Sequence, residues 1–127
     1  MDFDSNTIGA IGEAKAFAKL AEMGYVVCVP HVHVARYDLV LEKDGIFTKI
    51  QVKAGWMENG KFRAELRGSN FNSSGRHRST YDDEEIDAFV LYNPDEDELY
   101  WLDFDEAPTT GIRRNLSSMK DYLLEKP

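Results

Sequence analysis

The chain has 127 residues, a formal net charge of −8 and a sequence pI near 4.8. A chain of this length suits one hydrophobic core, so we expect residues 1–127 to form a single domain. The sequence has no apolar run of about 18 residues and no basic start followed by an apolar stretch, which predicts neither a membrane span nor a signal peptide. Cys28 is the only cysteine, which excludes an intrachain disulfide and favours a reducing cytoplasmic (intracellular) location.

The charges are unevenly distributed along the chain. Between residues 61 and 78 a single acid, Glu65, stands among five cations: Lys61, Arg63, Arg67, Arg76 and Arg78. Residues 79–112 contain twelve acids and no Lys or Arg. The net acidity argues against a protein that coats nucleic acid through charge alone, but the basic segment is suited to contact a polyanion.

The first predicted element is a helix from Ile8 to Met23, which Gly24 is expected to end. The N-cap is expected among three polar residues: Ser5, Asn6 and Thr7. At about 100° per residue, Glu13 lies among apolar side chains, nearly opposite the polar side of the helix. A carboxylate there is costly unless it is paired, so Glu13 is either hydrogen-bonded to a backbone group or an arginine, or part of a functional site.

The next stretch, Tyr25 to Pro30, predicts a short buried strand, with Cys28 as a buried structural thiol. His31 and His33 follow on one side of the chain. They are suited either to bind a transition metal or to lie at an exposed strand or loop end, and the absence of a third nearby ligand favours exposure.

A β-hairpin is predicted between Arg36 and Lys53, with Asp44-Gly45 as its two-residue turn. Counting back from that turn puts Asp38 opposite Gln51. Alternation then projects Asp38, Gln51 and Lys53 from one face of the hairpin. Such a face is either simply solvated or a site, and the first helix completes the site with Glu13 if it lies across this face.

The remaining elements are predicted from alternation and turn residues. Lys61 to Arg67 indicates a half-exposed strand with a mostly basic outer face. Gly68 to Thr80 has the composition of a flexible loop, which either wraps a phosphate backbone, with Phe71 stacking or wedging, or is a disordered surface loop. Ile86 to Tyr92 and Leu99 to Phe104 form a second hairpin, and Ser117 to Lys126 suits a terminal helix.

Four residues then form one chemical set: Glu13, Asp38, Gln51 and Lys53. Oxygen ligands without clustered Cys or His favour Mg²⁺ or Mn²⁺. A lysine beside such a cation can orient the attacking water and offset charge that develops on a phosphate. The combination is suited to phosphodiester hydrolysis.

The same residues resemble the PD-(D/E)XK nuclease superfamily. Glu13 on an opening helix, Asp38 on a strand and Gln51-Val52-Lys53 on the next strand are most similar to the group-I-intron-associated endonucleases and the archaeal Holliday-junction resolvases. The resemblance extends over most of the chain, up to about the last twenty residues. It implies an α/β (α+β) restriction-endonuclease-like core with a mixed central sheet flanked by helices.

The resemblance also implies roles for the site residues. Asp38 is the central metal ligand, Gln51 supplies an amide oxygen where many members have an acid, and Val52 contributes its backbone carbonyl. Lys53 assists the attacking water, and Glu13 completes the site directly or through water. Because Gln51 removes one negative ligand, weaker metal binding is expected.

The leading hypothesis is a Mg²⁺- or Mn²⁺-dependent DNA endonuclease, either structure-selective (Holliday-junction-resolvase-like) or site-specific (homing-endonuclease-like). Its relatives imply a homodimer or homotetramer. DNA contacts are expected from Lys61, Arg63, Arg67, Phe71, Arg76 and Arg78. The alternatives are a catalytically weak or inactive nuclease-fold DNA-binding or regulatory module, and an interaction protein that is RNA-directed or independent of nucleic acid.

Overall fold

A computed structural model describes the backbone of residues 3–32, 34–72 and 75–125, and the side chains of these residues except 69–72 and 75–77. Within these ranges no helix has the length and apolarity that a membrane crossing requires. The elements, in chain order, are α1 (Ser5–Glu22), β1 (Val26–Cys28), β2 (Leu39–Lys43), β3 (Ile46–Ala54), β4 (Trp56–Glu58), β5 (Lys61–Glu65), β6 (Gly68–Asn72), β7 (Gly75–Ser79), β8 (Ala88–Asn93), β9 (Glu98–Asp103), β10 (Gly111–Asn115) and α2 (Leu116–Met119). Two short 3₁₀ turns, Phe104–Glu106 and Lys120–Tyr122, complete them.

The central sheet has five strands in the order β1-β2-β3-β8-β9. All its pairs are antiparallel except β3 with β8, which run parallel. A second sheet has the order β10-β5-β4, and β6 and β7 form a two-stranded sheet. The central sheet is therefore mixed, as the predicted α/β (α+β) architecture requires.

The predicted β2–β3 hairpin is confirmed, including its register. Lys43 pairs with Ile46 and Leu39 with Ile50. Asp44 and Gly45 both have positive φ, 54° and 80°, because the two-residue turn that fits the twist of the strands needs this conformation at both positions.

The central sheet separates two hydrophobic cores. On one face, α1 buries Gly12, Ala16 and Leu20 against the central strands. That core contains the sheet residues Leu39, Leu41, Ile50, Val52, Ala88 and Val90. On the other face, the second sheet packs Phe62, Ala64, Leu66 and Ile112 against Phe89, Leu91, Tyr100 and Leu102 of β8 and β9. The second sheet thus covers the β8–β9 half of the face opposite α1.

The first helix begins earlier than the sequence suggested. Its N-cap is Asp4, whose Oδ1 accepts a hydrogen bond from the Thr7 backbone N–H at 2.7 Å, so the expectation of Ser5, Asn6 or Thr7 was wrong. An aspartate satisfies a free N–H of the first turn as well as a serine does, which lets the helix take one more turn. The predicted stop is confirmed, since Gly24 follows the last turn with φ of 95°.

The prediction of a buried strand with a buried thiol at Tyr25 to Pro30 was wrong. β1 is a three-residue edge strand that pairs only with β2, and Cys28 is exposed. Cys28 lies on the sheet face away from α1, in the half that the second sheet leaves open. His31 is exposed, as expected, and His33 lies outside the described residues.

Three other segments differ from expectation. Within the stretch from Gly68 to Thr80, which was expected to be a flexible loop, β6 and β7 pair as antiparallel strands, with Gly68 opposite Ser79. β4 and β5 form a hairpin around Asn59-Gly60, which both have positive φ, where the sequence had predicted no hairpin. The C-terminal helix is shorter than predicted, and the chain continues as a 3₁₀ turn whose neighbour Leu123 pairs with Tyr100.

Two glycines of α1 offer a matched test of how it packs. A Cβ added at Gly12 would lie 2.9 Å from Tyr92 Cδ2, whereas one at Gly9 would meet no atom within 4 Å. We expect Gly12→Ala to lower the free energy of unfolding by about 1–3 kcal/mol through overpacking. Gly9→Ala should raise it by up to about 1 kcal/mol through helix propensity. Urea denaturation of both variants checks this, and equal effects would contradict the packing of α1.

Candidate active site

Asp38 lies directly before β2, where two hydrogen bonds fix it. Its backbone N–H donates to the Ile50 carbonyl at 2.8 Å, and its Oδ2 accepts from the Val52 backbone N–H at 2.9 Å. A strand N–H lies roughly in the plane of its sheet, so the carboxylate lies at the sheet edge rather than upright on the polar face. The predicted register holds, but the end of β2 leaves Asp38 free to turn toward the main chain of Val52.

Lys53 approaches this carboxylate from the face opposite α1. Its Nζ donates to the Arg67 carbonyl at 3.0 Å and lies 5.6 Å from the centroid of the Tyr81 ring. Burial lowers the pKa of Lys53, while the charges of Asp38 and Glu65 oppose that shift. Lys53 is therefore half-buried, and the position of its ammonium is set by the Arg67 carbonyl, between β5 and β6.

Glu13 lies on the opposite side of the hairpin from the one expected. The helix does not lie across the polar face of the hairpin, because its small buried residues pack on the apolar face. Glu13 is half-buried and lines a surface groove with Leu39, the residue after Asp38. Burial raises the pKa of Glu13, and the nearby charge of Asp38 raises it further.

Asp38 thus lies near enough for its charge to act on Glu13, on one side of the sheet, and on Lys53, on the other. The pKa of Asp38 is raised by burial, against the opposing effects of the Val52 N–H and the charge of Lys53. The charge of Asp38 disfavours the ionised form of Glu13, and a pair of partly buried carboxylates of this kind is a suitable environment for a divalent cation. The donor chemistry of the site fits the expected metal.

Gln51 and Val52 complete the predicted set. Gln51 is half-buried and shares the face of Lys53, while the Val52 side chain is buried toward α1. The main chain of Val52 is held against Asp38 by the hydrogen bond to its N–H. In the described part of the chain, no group of three or more His, Cys, Asp or Glu side chains is arranged to hold a metal, so a cation held here would need an amide or backbone oxygen beside the two carboxylates.

Comparison with known proteins identifies the family. Residues 3–121 match the model of the PD-(D/E)XK endonuclease family. The chain belongs to the PD-(D/E)XK endonuclease family. It is therefore a nuclease with the restriction-endonuclease-like fold that the sequence predicted.

A solved structure supports the same fold. The bacterial homing endonuclease I-Ssp6803I superposes with a TM-score of 0.79 and 23% sequence identity, covering 95% of this chain and 89% of that chain. No curated protein sequence matches this chain significantly.

The structure adds residues to the endonuclease site that the sequence reading did not assign. The Arg36 guanidinium lies over the Tyr81 ring, 4.3 Å from its centroid, and Tyr81 in turn faces Lys53. Glu65 lies close enough for its charge to act on the pKa of Lys53. Counting residues back from the Asp44-Gly45 turn places Arg36 opposite Lys53, so the position of Arg36 was predictable from the sequence. Only the tertiary structure brings Tyr81 and Glu65 near Lys53.

The described members of the predicted DNA-binding set lie on or next to β5 and β7. Lys61 and Arg63 lie on the outer face of β5, and Arg67 follows that strand. Arg63 pairs with Glu58 at 3.0 Å and Arg67 with Glu65 at 2.6 Å, which offsets part of their charge. Arg78, near the end of β7, is exposed, and the side chains of Phe71 and Arg76 lie outside the described residues.

Proposed function

We propose that this endonuclease hydrolyses DNA phosphodiester bonds with the help of Mg²⁺ or Mn²⁺. The observation that carries the proposal is the position of Asp38, whose carboxylate is fixed by the Val52 N–H at 2.9 Å and whose charge acts on both Glu13 and Lys53. A bound divalent cation would supply Lewis-acid stabilisation of the charge that develops on the phosphate.

The chain's own residues then have distinct roles. Asp38 and Glu13 offer carboxylate oxygens to the cation, and Gln51 and the Val52 carbonyl offer neutral oxygens. Lys53 is fixed by the Arg67 carbonyl, so that its remaining N–H groups can orient the attacking water and stabilise negative charge on the phosphate. The partly buried position of Asp38 and Lys53 strengthens these interactions relative to bulk water.

Two modes of DNA selection fit the expectations from sequence, and the proposal includes both. One is selection of branched DNA, as in Holliday-junction resolvases, and the other is selection of a duplex sequence, as in homing endonucleases. Either mode is expected to use a homodimer or homotetramer, since two strands must be cut.

A second candidate is a nuclease-fold module that binds DNA with little or no turnover. Its support is the small number of acids at the site: the set of Glu13, Asp38 and Gln51 contains two carboxylates, and the described residues include no group of three or more His, Cys, Asp or Glu side chains that could hold a metal. Fewer negative ligands predict weaker retention of a divalent cation.

Cleavage assays separate these possibilities. Four substrates would be labelled: a four-way junction, a linear duplex of the same sequence, single-stranded DNA and a pool of randomised duplexes. Each would be incubated with Mg²⁺, Mn²⁺ or EDTA over a salt series. We expect metal-dependent cleavage, with paired nicks confined to the junction for a resolvase mode and one enriched cut sequence for a homing mode. Binding without cleavage under every condition would refute the enzyme and support the module.

The β6–β7 hairpin offers a test of the DNA-binding surface. We expect Arg76→Ala combined with Arg78→Ala to weaken DNA binding. The double variant should also reduce the magnitude of the slope of log association constant against log salt concentration by roughly 1–2, because binding releases about one counterion for each phosphate contact. The matched control is Arg113→Ala combined with Arg114→Ala on β10. An unchanged slope in the hairpin variant would remove the hairpin from the interface.

A further inference from the structure

Arg36 makes more polar contacts than its place in the sequence suggests, and most of them are with one segment. Its Nη1 donates to Ser79 Oγ at 2.8 Å and its Nη2 donates to the Thr80 carbonyl at 2.9 Å. Its Nε lies 2.8 Å from Glu85 Oε2 in an ion pair, and the guanidinium covers the face of Tyr81. The flat guanidinium therefore joins four residues of the stretch from Ser79 to Glu85.

These contacts are at the base of the β6–β7 hairpin. Ser79 ends β7 and is paired with Gly68, the first residue of β6. A Cβ at Gly68 would lie 3.1 Å from Arg36 Nη1 and 3.2 Å from the Tyr81 hydroxyl, so both strands of the hairpin meet at Arg36. Arg36 is only half-buried as a residue, but its contacts enclose its Nε.

The other side of the hairpin base is attached to the site itself. Arg67, directly before β6, supplies the carbonyl that accepts from Lys53 Nζ at 3.0 Å. Arg36 precedes Asp38 by two residues, on the segment that leads into β2. In the described structure β6 and β7 pair only with each other, so they lack the sheet neighbours that hold the other strands in place.

We propose that Arg36 is a positioning residue that fixes the base of the β6–β7 hairpin to the active-site strands, and thereby fixes the carbonyl that holds Lys53. A lysine cannot replace it, because one ammonium does not reach Ser79, Thr80 and Glu85 in three directions while covering an aromatic ring. The effect of Arg36 on catalysis rests on the proposed function. Its role in fixing the hairpin base does not depend on that function.

The structural part is tested by hydrogen–deuterium exchange of the full chain without DNA. In Arg36→Ala we expect faster exchange of amides in residues 68–79, with unchanged exchange in β3 and β8. The matched control is Arg114→Ala, because Arg114 also covers an aromatic ring, at 5.5 Å from the Tyr122 centroid, but lies away from the hairpin. Unchanged exchange in the hairpin of Arg36→Ala would overturn the proposal, whether or not the protein cuts DNA.

The catalytic part is tested by steady-state cleavage kinetics on the substrate that the wild type cuts. We expect Arg36→Ala to lower kcat by about 10–100-fold with little change in KM, as for other residues that orient a functional group through a second contact. A rise in KM alone would overturn the link to Lys53. If Arg36→Ala does not fold, Ser79→Ala removes one hydrogen bond and Glu85→Gln removes the charge of the ion pair. Both should give the same effects at smaller size, with unchanged kcat counting against the proposal.

Discussion

Asp38→Asn is expected to lower cleavage by at least about a thousandfold while leaving the metal-free protein as stable as the wild type, or more stable, at neutral pH. The asparagine keeps an oxygen for the Val52 N–H, which Asp38 Oδ2 now accepts at 2.9 Å. It loses the negative charge that burial disfavours, as the raised pKa of Asp38 indicates. Thermal unfolding in EDTA and single-turnover cleavage measure the two effects.

The pH dependence of that stability difference follows from the direction of the pKa shift. Because the folded-state pKa of Asp38 is raised, the protonated wild type has its full stability below the usual aspartate pKa of about 4 and loses some of it as the pH rises through the folded value. The extra stability of Asp38→Asn over the wild type should therefore be present at neutral pH and disappear in acid. A gain that is constant with pH would contradict this origin.

Metal titration provides the second readout for Asp38. We expect Mg²⁺ or Mn²⁺ to raise the unfolding temperature of the wild type and not that of Asp38→Asn, because a ligand stabilises only the form that binds it. Asp95→Asn is a matched control, since Asp95 Oδ2 also accepts a backbone hydrogen bond, from Met57 at 3.2 Å, on the exposed surface. Equal metal responses in wild type and Asp38→Asn would refute the role of Asp38 as a ligand.

Lys53→Met should lower cleavage by about 10²–10⁴-fold, the range for loss of a group that assists proton transfer or stabilises developing charge. Methionine retains most of the apolar stem and removes the ammonium, so the fold and the metal response should remain. This combination distinguishes Lys53 from Asp38, whose replacement removes both cleavage and the metal response. Rapid-quench cleavage at saturating protein measures the chemical step without the contribution of DNA affinity.

The chain contains a close control for Lys53. Lys49 lies on the same strand and, four residues earlier, on the same face, and its Nζ also donates to a backbone carbonyl, that of Glu84. Lys49→Met removes an equivalent charge from β3 but leaves Asp38 and Glu13 unchanged. We expect its cleavage rate to remain within about threefold of the wild type. A similar loss in both variants would indicate a general charge effect instead of a specific role for Lys53.

The hairpin at the centre of the site was predictable because its determinants are local. Asp44 and Gly45 select the turn, the turn sets the register, and alternation places Gln51 and Lys53 on one face. The family motif was readable for the same reason, since Asp38 and Lys53 belong to one hairpin. Glu13 was noted because a carboxylate stands out on an otherwise apolar side of a helix.

The errors arose where burial depends on neighbours that are distant in the sequence. Cys28 lies in a run of valines that looks like a core strand, but β1 is at the sheet edge and nothing in the described structure covers its outer face. The residues from Gly68 to Thr80 look like a loop by composition, yet they pair as β6 and β7. Local composition does not show which strand becomes an edge or which polar segments pair.

The sequence by itself determined the hairpin, its register and the residue types that chemistry needs at Glu13, Asp38, Gln51 and Lys53. Only the tertiary structure decided on which face of the central sheet Glu13 and Lys53 lie relative to Asp38. The small residues of α1 pack on the apolar face, so Glu13 lies on the α1 side of the sheet, and the Arg67 carbonyl holds Lys53 on the other face. These arrangements depend on packing between elements, and the free energy of such packing is a property of both surfaces rather than of either segment alone.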